Sequence, residues 1–86
     1  MTFYTYMMRN YVDTDTVAGK LAKNIEHDEN FPHNPPYKLR AWHDIILKYL
    51  HECDADDKYI DVFEKCWQDY EAKERKWYKE VDKYYG

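Results

Sequence analysis

From Tyr59 to the end of the chain, large apolar side chains return every three or four positions, and this run constrains the fold more than any other feature. At about 100° per residue, Tyr59, Ile60, Phe63, Cys66, Trp67 and Tyr70 fall within one arc roughly 120° wide, the face of an amphipathic helix. Trp77, Tyr78, Val81, Tyr84 and Tyr85 continue on the same arc. Unbroken over residues 57–84, such a helix would be about 42 Å long, longer than a domain of this size is wide. Glu71, Lys73 and Glu74 interrupt the stripe, so residues 71–76 are either a solvated bridge within one helix or a hinge between two.

The rest of the chain has the same character. Only 2 Gly and 3 Pro among 86 residues argue against disorder and turn-rich β folds. Thr2 can cap a first helix carrying Phe3, Tyr4, Met7, Met8 and Tyr11. The polar turn Asp13-Thr14-Asp15-Thr16 feeds a second helix with Val17, Ala18, Leu21, Ala22 and Ile25 facing inward. Residues 28–36 hold all three prolines and form the one long loop, with Phe31 as its anchor. Leu39, Trp42, Ile45, Ile46, Tyr49, Leu50 and Cys53 mark the buried side of a third helix. Asp54 to Asp57 then break the chain and place carboxylates at the positive end of the next helix. The fold class expected is all-α: one domain, a compact bundle of four to five helices with an extended C-terminal helix. Its core must be aromatic, because 10 Tyr, 3 Trp and 3 Phe stand against few aliphatics, and many of those rings carry a polar tip that needs a partner or water.

A net charge of -4 excludes a whole-chain, nonspecific nucleic-acid binder driven by phosphate neutralisation. The charge is uneven. Glu52, Asp54, Asp56, Asp57 and Asp61 form the densest acidic run, diluted only by Lys58, while Arg75, Lys76, Lys79 and Lys83 share a basic arc opposite Trp77, Val81 and Tyr84. No stretch approaches the ~20 apolar residues of a membrane span, and Met1 leads into Thr2-Phe3-Tyr4 without a basic or apolar leader. A cytoplasmic location, no membrane partner and reduced thiols at Cys53 and Cys66 are the expectation.

The chemistry-bearing residues do not assemble into a known motif. His51, Cys53 and Cys66 could supply three zinc ligands, with His27, His33 or His43 as a fourth, but there is neither a CxxC nor an HxxxH spacing, and buried structural thiols are the simpler reading. His51-Glu52 begins like HExxH, but residue 55 is Ala. Asp54-Ala55-Asp56 begins like a calcium loop, but its sixth position is Tyr59 and its twelfth Lys65. Gly19, the one internal glycine, sits within a helical pattern and can build no phosphate cradle or oxyanion loop. No catalytic residue, metal, cofactor or small-molecule substrate is expected, and the chain is read as non-enzymatic.

Four segments together resemble a known family. They are Thr2-Phe3-Tyr4-Thr5-Tyr6-Met7-Met8-Arg9, Asp28 followed by Phe31-Pro32, Tyr49-Leu50-His51-Glu52, and Phe63-Glu64-Lys65-Cys66-Trp67-Gln68-Asp69-Tyr70. In this order and spacing they are similar to the YozE-like proteins, small proteins of Gram-positive bacteria with a sterile alpha motif-like fold. The resemblance covers residues 2–70. It implies a bundle of about four short helices with Phe3, Phe31, Phe63, Trp67 and Tyr70 as core aromatics, and it implies no activity. Residues 1–70 are thus the YozE-like bundle, and residues 71–86 a C-terminal amphipathic extension of the same domain. His33-Asn34-Pro35-Pro36 and the extension depart from the family pattern.

The extension carries the functional expectation. An ordinary amphipathic helix would pack Trp77, Tyr78, Val81, Tyr84 and Tyr85 on its own bundle. A shorter relative closes its core without them, so they are read as a contact surface for a protein partner or a second copy of the chain. Two alternatives remain. A phage- or mobile-element-type inhibitor could use the acidic edge to block a nucleic-acid-binding host protein. Alternatively, Arg75, Lys76, Lys79 and Lys83 could grip a nucleic-acid strand with the neighbouring aromatics, although Glu71, Glu74, Glu80 and Asp82 nearly cancel their charge.

Overall fold

The computed structural model describes the backbone of residues 1–35 and 38–85 and the side chains up to Lys76, apart from residues 36 and 37. Four helices follow in order: α1 (Phe3–Asn10), α2 (Val17–His27), α3 (Leu39–Glu52) and α4 (Asp57–Tyr85). The described residues contain no strand. α4 packs against each of the other three helices, and α1 also packs on α2. At 29 residues and about 1.5 Å per residue, α4 is about 43 Å long. The molecule measures 42 × 25 × 22 Å, so α4 alone sets its long axis. Residues 71–76 are therefore a bridge within one helix, and no hinge divides it.

Local chemistry explains the helix ends. Thr2 Oγ1 accepts from the Thr5 amide at 3.1 Å, and Thr16 Oγ1 from the Gly19 amide at 3.0 Å, each filling one of the orphan donors of a first turn. α3 ends in a two-bond αL cap: the Ala55 amide donates to the Leu50 carbonyl at 3.1 Å and the Asp54 amide to the His51 carbonyl at 3.1 Å. This geometry requires positive φ at residue 54, where Asp54 adopts +55°. The carbonyl of Asp56 then accepts from Tyr59 and Ile60 to open α4.

Phe3 lies at the centre of the core. It is fully buried, and its ring sits 5.4–5.9 Å from those of Tyr6, Phe63, Trp67 and Tyr70. Two of these contacts, to Phe63 and Tyr70, are edge-to-face, the arrangement the ring quadrupole favours. All five aromatics assigned to the core from sequence are buried. Several tyrosine tips find partners: Tyr6 donates to Asp69 at 2.6 Å and Tyr70 to the Met1 carbonyl at 2.7 Å. The indole N–H of Trp42 is buried without a hydrogen-bond partner.

Three assignments to the buried side need correction. Val17 is exposed because it opens α2, a full turn before the first buried side chain of that helix, Leu21. Ile45 is exposed because α3 turns Trp42, Ile46 and Leu50, four residues apart, inward, and residue 45 lies about 100° to one side. Cys53 is an exposed free thiol, since it is the C-cap of α3, where the backbone leaves the helical path. Cys66 is buried as expected, and burial raises its thiol pKa. Glu74 is the reverse case. It interrupts the apolar stripe of α4, yet it is buried, with its carboxylate 2.9 Å from the α-amino group of Met1.

Candidate functional site

Two surfaces bear the sequence expectations, and the geometry treats them differently. The first is the C-terminal part of α4. Every buried apolar side chain among the described residues lies between Phe3 and Tyr70, and the last buried side chain of any kind is Glu74. The backbone of α4 continues to Tyr85. Arg75 and Lys76 are exposed, and Arg75 is already engaged by Glu71, with Nη2 and Nε 2.7 and 3.2 Å from the carboxylate. The side chains of Trp77, Tyr78, Lys79, Val81, Lys83, Tyr84 and Tyr85 lie outside the described residues.

The second surface is the acidic edge around the α3–α4 turn. Glu52, Asp54, Asp56, Asp57 and Asp61 are all exposed. Within the described residues only Glu52 has a cationic neighbour, Lys48 Nζ at 3.9 Å. This edge borders a cleft of about 250 Å³ that sequence analysis did not identify. Its apolar walls come from α2 (Leu21, Ile25), the long loop (Phe31) and α3 (Leu50), with Tyr59 on the α4 side. Asp28, Asp54 and Asp56 supply carboxylates.

The polar part of this cleft is built across distant segments. Asp28 follows the end of α2, and its Oδ1 accepts from the Asn30 amide at 2.9 Å, a side-chain-closed turn that sends Phe31 back into the core. Its Oδ2 accepts a hydrogen bond from the Tyr49 hydroxyl, and Tyr49 packs edge-on to Phe31 with ring centroids 5.9 Å apart. The bond to Asp28, then burial and the adjacent Cys53, raise the phenol of Tyr49 well above the ordinary tyrosine range. Tyr49 is therefore a neutral donor holding Asp28 in place. Sequence inspection could have found only half of this pair, an Asp flanking a loop and a Tyr on a helix face, 21 positions apart.

His43 and Asp69, elsewhere on the bundle, are structurally committed. His43 bonds Glu64 at 2.7 Å and stacks on Phe63 at 5.4 Å. Asp69 accepts from Tyr6 and lies 3.1 Å from Lys73. These two partners, Tyr6 first, lower its carboxyl pKa. Among the described residues no three His, Cys, Asp or Glu side chains are grouped as a metal ion would require. His51, Cys53 and Cys66 are thus not brought together as a ligand set. No helix among the described residues is long and apolar enough to cross a membrane.

No curated protein and no solved structure matches the chain. A family model described as "YozE SAM-like fold" matches residues 2–72, which takes in all of α1–α3 and the first 16 of the 29 residues of α4. With more than four fifths of its length matched and an all-helical architecture in agreement, the chain belongs to the YozE SAM-like fold family.

Proposed function

We propose that this protein is a non-enzymatic interaction module that binds a protein partner, or a second copy of itself, through the C-terminal part of α4. The observation that carries this reading is that α4 runs past the family-matched bundle: the match ends at residue 72, whereas the helix continues unbroken to Tyr85, about 20 Å farther. Because α4 is unbroken, the helical phase carries through. The sequence positions of Trp77, Tyr78, Val81, Tyr84 and Tyr85 therefore stay in register with those of Phe63, Trp67 and Tyr70. Surplus aromatics on one helical register supply the large, rigid anchors that dominate binding energy at interfaces.

The test is a chain ending at Lys76, which retains Glu74 and its contact with Met1. Its thermal midpoint should stay within a few degrees of the full chain, while self-assembly by light scattering, or capture of a defined partner, should be lost. A large drop in stability would make residues 77–85 part of the core. Unchanged assembly and capture would remove the reading.

A second reading rests on the exposed acidic edge, which has little internal neutralisation. Glu52, Asp54, Asp56, Asp57 and Asp61 would face a basic partner, and a small inhibitor of a nucleic-acid-binding host protein would use such an edge. Competition between this protein and DNA for that partner separates the two readings.

A further inference from the structure

We propose that the cleft at the C-terminal end of α3 receives the arginine side chain of a protein partner. The inference concerns the acidic edge and does not depend on the C-terminal part of α4.

Size comes first. About 250 Å³ falls below the roughly 300–1,000 Å³ of pockets that enclose small molecules, and corresponds to about eight water molecules. Such a space takes a single long side chain more readily than a cofactor. Shape and polarity narrow the choice. The walls contributed by Leu21, Ile25 and Leu50 are aliphatic and suit a methylene stem, while Asp28, Asp54 and Asp56 supply the carboxylates. A basic residue with a long apolar stem has this division of character.

Charge complementarity fixes the sign. Asp54 and Asp56 are exposed and have no ion-pair partner among the described residues, and Glu52, Asp57 and Asp61 add the same sign nearby. Asp28 already accepts from Tyr49 and Asn30, which orients its carboxylate. The in-chain competitor is Lys58, whose Nζ rests 5.3 Å from the centroid of the Tyr59 ring. A cation is thus already drawn to one lining ring, but it comes from the exposed side of α4.

Arginine fits better than lysine for two reasons. Its planar guanidinium can lie along the Tyr59 ring, and its forked donors can address two carboxylates together. The ammonium of lysine is a compact, strongly hydrated charge that gains less from a flat wall.

The test titrates the full chain with a blocked Gly-Arg-Gly peptide and follows backbone amide shifts by NMR. Matched peptides carrying citrulline or lysine, and free spermidine, are run beside it. Saturable shifts should concentrate at Asp28, Tyr49 and residues 53–59. The citrulline peptide, isosteric but neutral, should bind at least ~10-fold more weakly, and lysine and spermidine should be weaker than arginine. Asp54→Asn and Asp56→Asn should each weaken the arginine peptide several-fold. Asn tolerates the positive φ at residue 54, and at residue 56 it keeps the backbone carbonyl that opens α4 and suits a helix start as well as Asp, so both variants should keep the turn. Unchanged thermal unfolding checks this, and an Asp28→Asn variant provides a third carboxylate should either turn variant unfold. Shifts spread equally over remote acids such as Asp13 and Glu29, equal binding of citrulline, or equal binding of lysine or spermidine would overturn the proposal. The readout is a tripeptide in the cleft, so its failure is distinct from failure of the α4 reading, which is judged by assembly.

Discussion

Replacing Gly19 with alanine tests whether the N-terminal half of the bundle is held by close backbone contact. Gly19 lies in the first turn of α2, where alanine would ordinarily gain about 1 kcal/mol in helix propensity. Here an added Cβ would fall 2.1 Å from the Thr14 carbonyl oxygen, 2.7 Å from Thr14 Oγ1 and 3.0 Å from the Thr14 carbonyl carbon. Two of these three atoms are backbone and cannot rotate aside. The turn must move as a unit, and it is tied down by Thr14 N–H and Oγ1 on the Tyr11 carbonyl and by Oγ1 against Thr16 Oγ1, the hydroxyl that caps α2. Overpacking strain of about 1–3 kcal/mol, with about 1 kcal/mol for a disturbed cap, outweighs the propensity gain. The net expectation is a loss of about 1–3 kcal/mol, at about 4–8 °C of melting temperature per kcal/mol. Urea unfolding should show a lower midpoint with an unchanged slope, the signature of a stability change within one fold. Adding Thr14→Ala to Gly19→Ala should recover little, because the carbonyl stays. A neutral or stabilising Gly19→Ala, or full rescue by Thr14→Ala, would refute the backbone-contact argument.

Two further outcomes follow from the titratable groups. The native pKa of Asp69 lies below its unfolded value near 3.9, so its stabilisation is complete above that value and is lost as pH falls through the lower native one. Urea midpoints measured from about pH 5 down to about pH 2 should therefore fall less steeply for Asp69→Asn than for the parent chain. A thiol reagent should label Cys53 rapidly in the native protein and Cys66 only on opening of the core, at a rate that rises with denaturant. Equal labelling of both cysteines in native buffer would contradict the burial of Cys66.

The helices were legible in the sequence because helix formation is local. Thr2 and Thr16 stand where first turns need an acceptor, and the recurrence of Phe63, Cys66, Trp67 and Tyr70 shows which face α4 buries. Cys53 could not be placed this way. A helical wheel assumes that the helix goes on, and Asp54 turns the chain at that point. Glu74 was visible only as an anomaly, a carboxylate inside an apolar stripe. Its partner, the α-amino group of Met1, lies 73 positions away, beyond the reach of any periodicity.

By itself, the sequence determined an all-helical chain, its aromatic core and its family membership, since composition, spacing and capping act within a few residues. Only the tertiary structure decided that α4 is continuous, that Gly19 must be glycine, and that Tyr6 meets Asp69 and Tyr49 meets Asp28. The cleft belongs to the second class as well. Its walls come from α2, the loop, α3 and the start of α4, and no single segment contains it. Local periodicity specifies which face of each helix is buried, whereas the way helices cross specifies which polar groups meet and where the surface stays open.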